Sequence, residues 1–580
     1  MRKLLTCLFV AACAVSAFAA KGNLEGLDSF VAETMQAWKV PGVAIVVVDD
    51  GKVILSKGYG FRNVKDQQPV TPQTLFAIGS STKSFTVSVL GTLVDDGKLD
   101  WDKPVRNYLP DFRMFDETVT ERMTARDLVT HRSGLPRHDL MWYAAPFSRQ
   151  EIFERLRYLE PSKDFRTTFQ YQNLMFMTAG YLAGRVAGSS WEELVRQRIF
   201  LPLGMKGSNF SVEDSKKAED YAVGYQKVKE DVKQIPFRNI DAIGPAGSIN
   251  SNITDMANYL MMQMSKGKFG EKQVISASNA NQMQSPQMSI SAAGQYSELG
   301  DSSYGMGFFL TSYRGHKLVH HGGNIDGFTA LVTFMPQEKI GMVILTNMNG
   351  STLPTVLSYN VYDRLLGLDQ VEWTKRLKDD EKKAQASEDE AKKRKLTARV
   401  EGTHPSHALQ DYAGEYEHPG YGIFKVEVEG DHLKGTIHGL SDNLEHFHYD
   451  VFQFSEEPGN PLQKQKVMFQ TSLEGDIASL SVPIETSLKD IVFTRMAEKL
   501  PRNVLESVAG QYELRGQTAT VALSADNKLT LVLPGQPGFT LAPVKGLRFT
   551  IQGMNGFSLE FKDTDLIFYQ PNGTFVAKKK

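Results

Sequence analysis

The segment Leu409-Gln410-Asp411-Tyr412-Ala413-Gly414-Glu415-Tyr416-Glu417 returns in altered form as Leu505-Glu506-Ser507-Val508-Ala509-Gly510-Gln511-Tyr512-Glu513. Each copy is followed by short segments that alternate apolar and polar residues, such as Gly422 to Val428 and Thr518 to Leu523. Period-two alternation fits strands with one buried face, and a repeated unit of this kind predicts two related small β modules of about a hundred residues or fewer each. They are read either as separate barrels or as two parts of one β domain, over 404–500 and 501–580. Before them, Asp379-Asp380-Glu381-Lys382-Lys383 and Ala391-Lys392-Lys393-Arg394-Lys395 are dense in both charges and nearly free of apolar residues. That composition predicts a solvated helix or linker over 371–403.

A chain of 580 residues is too long for one core, and residues 22–370 read as a separate mixed α/β domain. Gly42 to Val48 is a β-branched run, Asp49-Asp50-Gly51 signals a hairpin, and Lys52 to Tyr59 returns. Phe85 to Asp96 is helical and stops at Gly97, while Phe328 to Met335 and Gly341 to Thr346 flank a turn. The first residues differ: Arg2 and Lys3 precede an apolar run to Val15, and Ala17-Phe18-Ala19 offers a small-x-small cleavage site. This predicts a signal peptide over 1–19 and export to the periplasm or beyond. Both cysteines, Cys7 and Cys13, fall inside it, so the mature chain has no thiol, disulfide or Cys-based metal site. Val10-Ala11-Ala12-Cys13 weakly resembles a lipoprotein box, which leaves anchoring at Cys13 as the lesser alternative. No later apolar run spans a bilayer. A net charge of −2 advertises no nucleic-acid surface.

Three stretches carry chemistry. Ser80 and Lys83 lie three residues apart at the start of an apolar helix, so hydroxyl and amine share one face. Ser80 is read either as a helix cap or as a nucleophile whose own N–H helps hold an oxyanion. A second Ser-x-x-Lys, Ser265 to Lys268, sits at a helix end before a glycine and reads as a surface turn. Tyr171-Gln172-Asn173 precedes the apolar run Leu174 to Val186; Tyr171 is the one tyrosine of 20 followed by x-Asn. A phenolate beside an ammonium is able to serve as a base. His321-Gly322-Gly323-Asn324 follows strand-like Lys317 to His320; paired glycines let a substrate backbone approach, or else form a turn. Arg137 to Tyr143 reads as a cleft border or as loop packing. His446 and His448 share a strand face, and exposed strand histidines outweigh a metal site on that spacing.

In this order and at these element boundaries, the three stretches resemble the serine beta-lactamase-like superfamily, in its class C and peptidase S12 branch, which includes esterases and D-amino-acid-specific peptidases. The resemblance covers roughly 25–365. It extends to Ala125-Arg126-Asp127-Leu128-Val129-Thr130-His131-Arg132-Ser133-Gly134-Leu135 and to Pro245-Ala246-Gly247-Ser248-Ile249 before Asp255-Met256. It implies an α/β (α+β) fold: an antiparallel sheet flanked by helices plus an all-α cluster. The C-terminal all-β modules resemble lipocalin-like appendages. By the same resemblance Ser80 is the nucleophile, Lys83 and Tyr171 the proton-transfer pair, and Asn173 their positioner. His321 stands where many lactamases have lysine, Gly322 and Gly323 border the substrate, and the N–H groups of Ser80 and Asn324 form an oxyanion hole. No metal or organic cofactor is implied. The expected substrate is a small ester, amide or short peptide, and oligomeric state is not read. Histidine in place of lysine removes a fixed charge for a substrate carboxylate, which predicts weak or no beta-lactamase activity. The rivals are a penicillin-binding protein or beta-lactamase, and a silent binding protein that kept the fold.

Overall fold

Gly42–Asp49 (β1) is buried along nearly its whole length, as its β-branched run requires of a strand covered on both faces. The structure is a computed structural model that describes residues 22–580 except 292–294, 397–398, 456–460, 474 and 555. The leader reading, with Cys7 and Cys13, lies outside the described residues. Contacts divide the chain into two units: residues up to Arg399 with Ile484–Lys489, and Val400–Pro483 with Asp490–Lys580.

In the first unit β1 joins Lys52–Asn63 (β2), Gln68–Pro69 (β3), Met288–Ile290 (β4), Ser302–Tyr304 (β5), Phe309–Tyr313 (β6), His316–Ile325 (β7), Phe328–Met335 (β8) and Ile340–Thr346 (β9). They form one nine-stranded antiparallel sheet in the order β4-β5-β6-β7-β8-β9-β1-β2-β3. The two ends of the unit meet where β9 pairs with β1, from Val43↔Thr346 to Asp49↔Ile340. Asp50 and Gly51 both have positive φ, 47° and 74°, which matches the tight hairpin that an Asp-Gly pair favours. Val43, Ile45 and Val47 pack on Leu27–Trp38 (α1) and Leu353–Leu366 (α5). On the other face, Gly341 of β9 backs onto Leu260 and Met264 of Ile253–Met264 (α4).

Between the two groups of strands the chain builds helices. Thr82–Asp95 (α2) is buried on all sides and packs on Asn173–Ala187 (α3). Gly97 follows α2 with φ 68°. The charged segment forms the helix Trp373–Leu396 (α6). Its first residue departs from the solvated reading: Trp373 is 1% exposed, donates its indole N–H to Tyr313 at 3.0 Å and packs on Tyr359. Composition averaged over the segment hides that anchor.

The second unit holds two closed eight-stranded antiparallel barrels, from Gly414–His418 to Ile491–Arg495 and from Gly510–Leu514 to Gly573–Lys579. The internal repeat marks the closure of each. Tyr416 donates to the carbonyl of Tyr412 (2.8 Å), and Tyr512 to that of Val508 (2.7 Å). Tyr416 pairs across the closing seam with Arg495, and Tyr512 with Lys579. Each cation lies over the ring of its tyrosine and donates to carbonyls of the repeated segment, Ala413 and Ser507 respectively. Apolar side chains fill the second barrel. No described helix is long and apolar enough to cross a membrane.

Candidate functional site

Short strand pairing of Phe76–Ala77 with Asn250–Ser251 delivers the chain into a 3-10 turn, Gly79–Ser81, that runs straight into α2. Gly79 has φ 49°, and a Cβ there would sit 2.8 Å from the Asn324 nitrogen. Ser80 is the middle residue of the turn and partly exposed. It does not cap α2; Ser81 holds that position, without a side-chain cap bond. The Lys83 amine, one turn on, is 3.0 Å from Ser80 Oγ.

Lys83 is 0% exposed. Its Nζ donates to Asn173 Oδ1 and to the Ala246 carbonyl, both at 2.8 Å. Thr86 holds that second acceptor close by donating to the Pro245 carbonyl (2.7 Å), and Thr82 Oγ1 accepts from the Ile249 N–H (3.2 Å). Asn173 opens α3; its amide donates to Asp139 Oδ1 (3.1 Å) while its oxygen accepts from Lys83, so the two partners fix its orientation. Burial holds the Lys83 amine well below the usual lysine range; Arg137 adds to the shift and Asp139 opposes it. A neutral amine has two N–H bonds and one lone pair. In that form the two oxygen acceptors would take the N–H bonds and leave the lone pair for the Ser80 hydroxyl; in the charged form Nζ donates to all three oxygens.

Burial raises the Tyr171 phenol well above its ordinary value, and a hydrogen bond with Ser80 partly offsets this. The Tyr171 ring lies 4.8 Å from Lys83 Nζ and 5.3 Å from the Arg137 guanidinium. Behind it the His131 ring lies at 4.3 Å, tilted by 31°, and accepts the Gln172 N–H on Nδ1 at 2.9 Å. The Thr124–Asp127 capping box sets that segment, and Asp127 is gripped by Arg132 (2.7 Å) and Arg166 (2.6 Å).

His321 is 1% exposed. Its Nδ1 lies 2.6 Å from the Gly322 carbonyl, an oxygen that only accepts, so Nδ1 carries the proton and Nε2 accepts from Tyr304 (3.1 Å). Burial first, and then Lys83, pushes its pKa down to about 3, which leaves the imidazole neutral. The strand β7 continues through Gly322 and Gly323 without a turn. A Cβ on Gly323 would meet the Ile78 carbonyl oxygen at 1.9 Å and Ser80 N at 3.0 Å, so this glycine is where strand and turn abut.

A cleft of about 260 Å³ opens on Ser80, Asn173 and Asn324, with Arg137, Asp139, Trp142, Tyr143 and Asp326 on its walls. His321, Gly322 and Gly323 are not among its lining residues. The loop after Gly134 is therefore a cleft border. Asp139 lies in that loop, but no role of its own is legible in the sequence: it receives Arg137 Nε (2.5 Å), Trp142 Nε1 (2.8 Å) and Asn173. Ala246 lies in the Pro245 to Ile249 segment that the sequence singled out, but the role of its backbone carbonyl had no signal there. Among the described residues no group of three or more His, Cys, Asp or Glu is placed to hold a metal ion.

Comparison with known proteins shows what the chain is similar to. A family model described as beta-lactamase matches residues 27–363, and one described as a domain of unknown function, DUF3471, matches residues 398–495. The chain is 30% identical over 411 residues to unguisins hydrolase ungD' of Aspergillus campestris, covering 67% of this chain and 75% of that one. It is 24% identical over 345 residues to the protein flp of Staphylococcus aureus, covering 58% and 65%. The octameric penicillin-binding protein homologue from Pyrococcus abyssi superposes with a TM-score of 0.53 at 22% identity, over 96% of this chain and 100% of that one, a likeness of fold alone.

Proposed function

We propose that this chain, which belongs to the beta-lactamase family, is an exported serine hydrolase that cleaves a small ester or amide through an acyl-enzyme on Ser80. The observation that carries the reading is the buried Lys83 amine, 3.0 Å from Ser80 Oγ and held well below the usual lysine pKa range by its burial. As Ser80 attacks the substrate carbonyl, its proton passes to Lys83. The N–H groups of Ser80 and Asn324, which Gly79 and Gly323 bring close together, hold the developing oxyanion. Tyr171 keeps its own proton over the working pH range and bonds to Ser80, so it is placed to pass a proton to the leaving group. Water then releases the acyl group by the reverse route. The name of the relative, unguisins hydrolase, supports hydrolysis as the reaction. His321 offers no charge to a substrate carboxylate, which supports an esterase or amidase over an efficient lactamase.

A panel of p-nitrophenyl esters, D-amino-acid amides and nitrocefin tests this. Turnover of an ester or amide that vanishes in Ser80→Ala is expected, with nitrocefin slow. Nitrocefin turnover faster than every ester and amide would replace this reading with a lactamase, and activity retained by Ser80→Ala would remove it.

The same panel reads pH dependence. Because the neutral amine is the active form, kcat/KM rises as Lys83 loses its proton, at a pH well below that of an ordinary lysine. Arg137→Gln removes a repelling charge and moves the rising limb to higher pH. Asp139→Asn removes an attracting one and moves it lower. Shifts of equal sign in the two variants would assign the limb to another group.

A further inference from the structure

A column of hydroxyls lies under the nucleophile, along one face of α2. Ser81, Ser84 and Ser88 are each at most 1% exposed. Tyr259 of α4 donates to Ser84 Oγ (2.9 Å), and Gln263 donates to Ser88 Oγ (3.1 Å) and to Tyr259 (2.9 Å). Ser84 and Ser88 return their own hydrogens to carbonyls of the same stretch, Ser81 O and Ser84 O, both at 2.9 Å. Ser81 alone of the three serines reaches across to the sheet: its Oγ donates to the His321 carbonyl at 3.1 Å.

That bond falls at an informative place. The turn carries one oxyanion N–H, on Ser80, and β7 carries the other, on Asn324. Three contacts run along the seam between them: Ser81 with His321, then Ser80 and Ile78 with Gly323, then Gly79 with Asn324. The last two are backbone against backbone. The first is a directional bond, and its acceptor belongs to a residue whose ring is itself fixed by Tyr304 and by the Gly322 carbonyl.

We infer that the Ser81 hydroxyl is a positioning residue, which sets the separation of the two oxyanion donors by pinning the nucleophile turn to the His321 carbonyl. The inference rests on the proposed role of Ser80. Without the pin the turn slides along β7. Substrate still enters the cleft, whose lining does not include Ser81, but the tetrahedral intermediate meets one donor at the wrong distance. The effect then falls on kcat and spares KM.

The test compares Ser81→Ala, Ser81→Thr and Ser84→Ala in the full chain, against a p-nitrophenyl ester and an arylboronic acid. The boronate forms a tetrahedral adduct with the nucleophile. Ser81→Ala is expected to lose kcat by about tenfold to a hundredfold, below the loss of a whole oxyanion donor. KM stays within about twofold, and boronate affinity weakens by the same factor as kcat. Ser81→Thr, which keeps the hydroxyl, recovers kcat to within about threefold. Ser84→Ala removes a hydroxyl from the same column without touching the sheet. It controls for stability: a comparable drop in Tm with kcat retained is expected. Ser81→Ala with unchanged kcat, Ser81→Thr as impaired as Ser81→Ala, or kcat falling in step with Tm across all three variants would overturn the inference. Wild-type turnover that does not depend on Ser80 would instead overturn the proposed function, and the inference with it.

Discussion

Lys83→Met lowers kcat/KM for an ester substrate by about a thousandfold and leaves the fold intact. Methionine fills most of the buried volume, so the expected change is chemical. The variant loses the lone pair that receives the Ser80 proton, since the remaining neighbour, Tyr171, keeps its own proton at working pH. Asn173 Oδ1 and the Ala246 carbonyl lose a donor, at a cost of about 1–3 kcal/mol each if no water replaces it. Removing a buried amine offsets part of that cost. Far-ultraviolet circular dichroism and a thermal melt separate the two effects: a native spectrum with a collapsed rate is the expected pair. A loss of less than about tenfold would mean that the phenol, not the amine, takes the proton.

Gly323→Ala is the second large effect, and it comes from geometry alone. The new Cβ would lie 1.9 Å from the Ile78 carbonyl oxygen and 2.8 Å from its carbon. Both are backbone atoms of the segment that leads into Ser80, so the clash is relieved only by moving that segment away from β7. The motion separates the two N–H groups proposed to hold the oxyanion. Loss of one such donor costs about a hundredfold to a thousandfold in kcat, and the forced contact destabilises the fold by about 1–3 kcal/mol. Gly322 is the control on stability. A Cβ there meets only the Ala330 oxygen, at 3.7 Å, so Gly322→Ala is expected to melt at nearly the wild-type temperature. Equal Tm values for the two alanine variants would show that the seam is looser than described.

What the sequence revealed and what it hid follow from the range of each interaction. Ser80 and Lys83 are three residues apart on one helix, so their proximity is local and legible. The hairpin at Asp50-Gly51 is local too. The repeat pointed to the barrels because Tyr416 and Tyr512 do the same work at each closing seam, yet it left open whether they close separately; the pairing of first and last strands answers that. The Arg137 to Tyr143 loop was legible as a cleft border or as loop packing, but the role of Asp139 within it was not, since that depends on Asn173, which reaches it from another element. His321 was legible as a position and as a residue without a fixed charge; the depth of its burial against Tyr304 and Phe309, which pushes its pKa down to about 3, was not, because burial is a tertiary property. The paired glycines were read for what a substrate would need. In the fold, Gly323 serves the approach of the chain's own turn.

The most direct test of the central claim is covalent. Incubation with a fluorophosphonate, followed by proteolysis and mass spectrometry, reports which hydroxyl the buried amine activates. A single phosphonyl group on the peptide that contains Ser80, absent from Ser80→Ala and formed far more slowly in Lys83→Met, is the predicted result. Modification at another residue, or undiminished labelling of Ser80→Ala, would contradict the account.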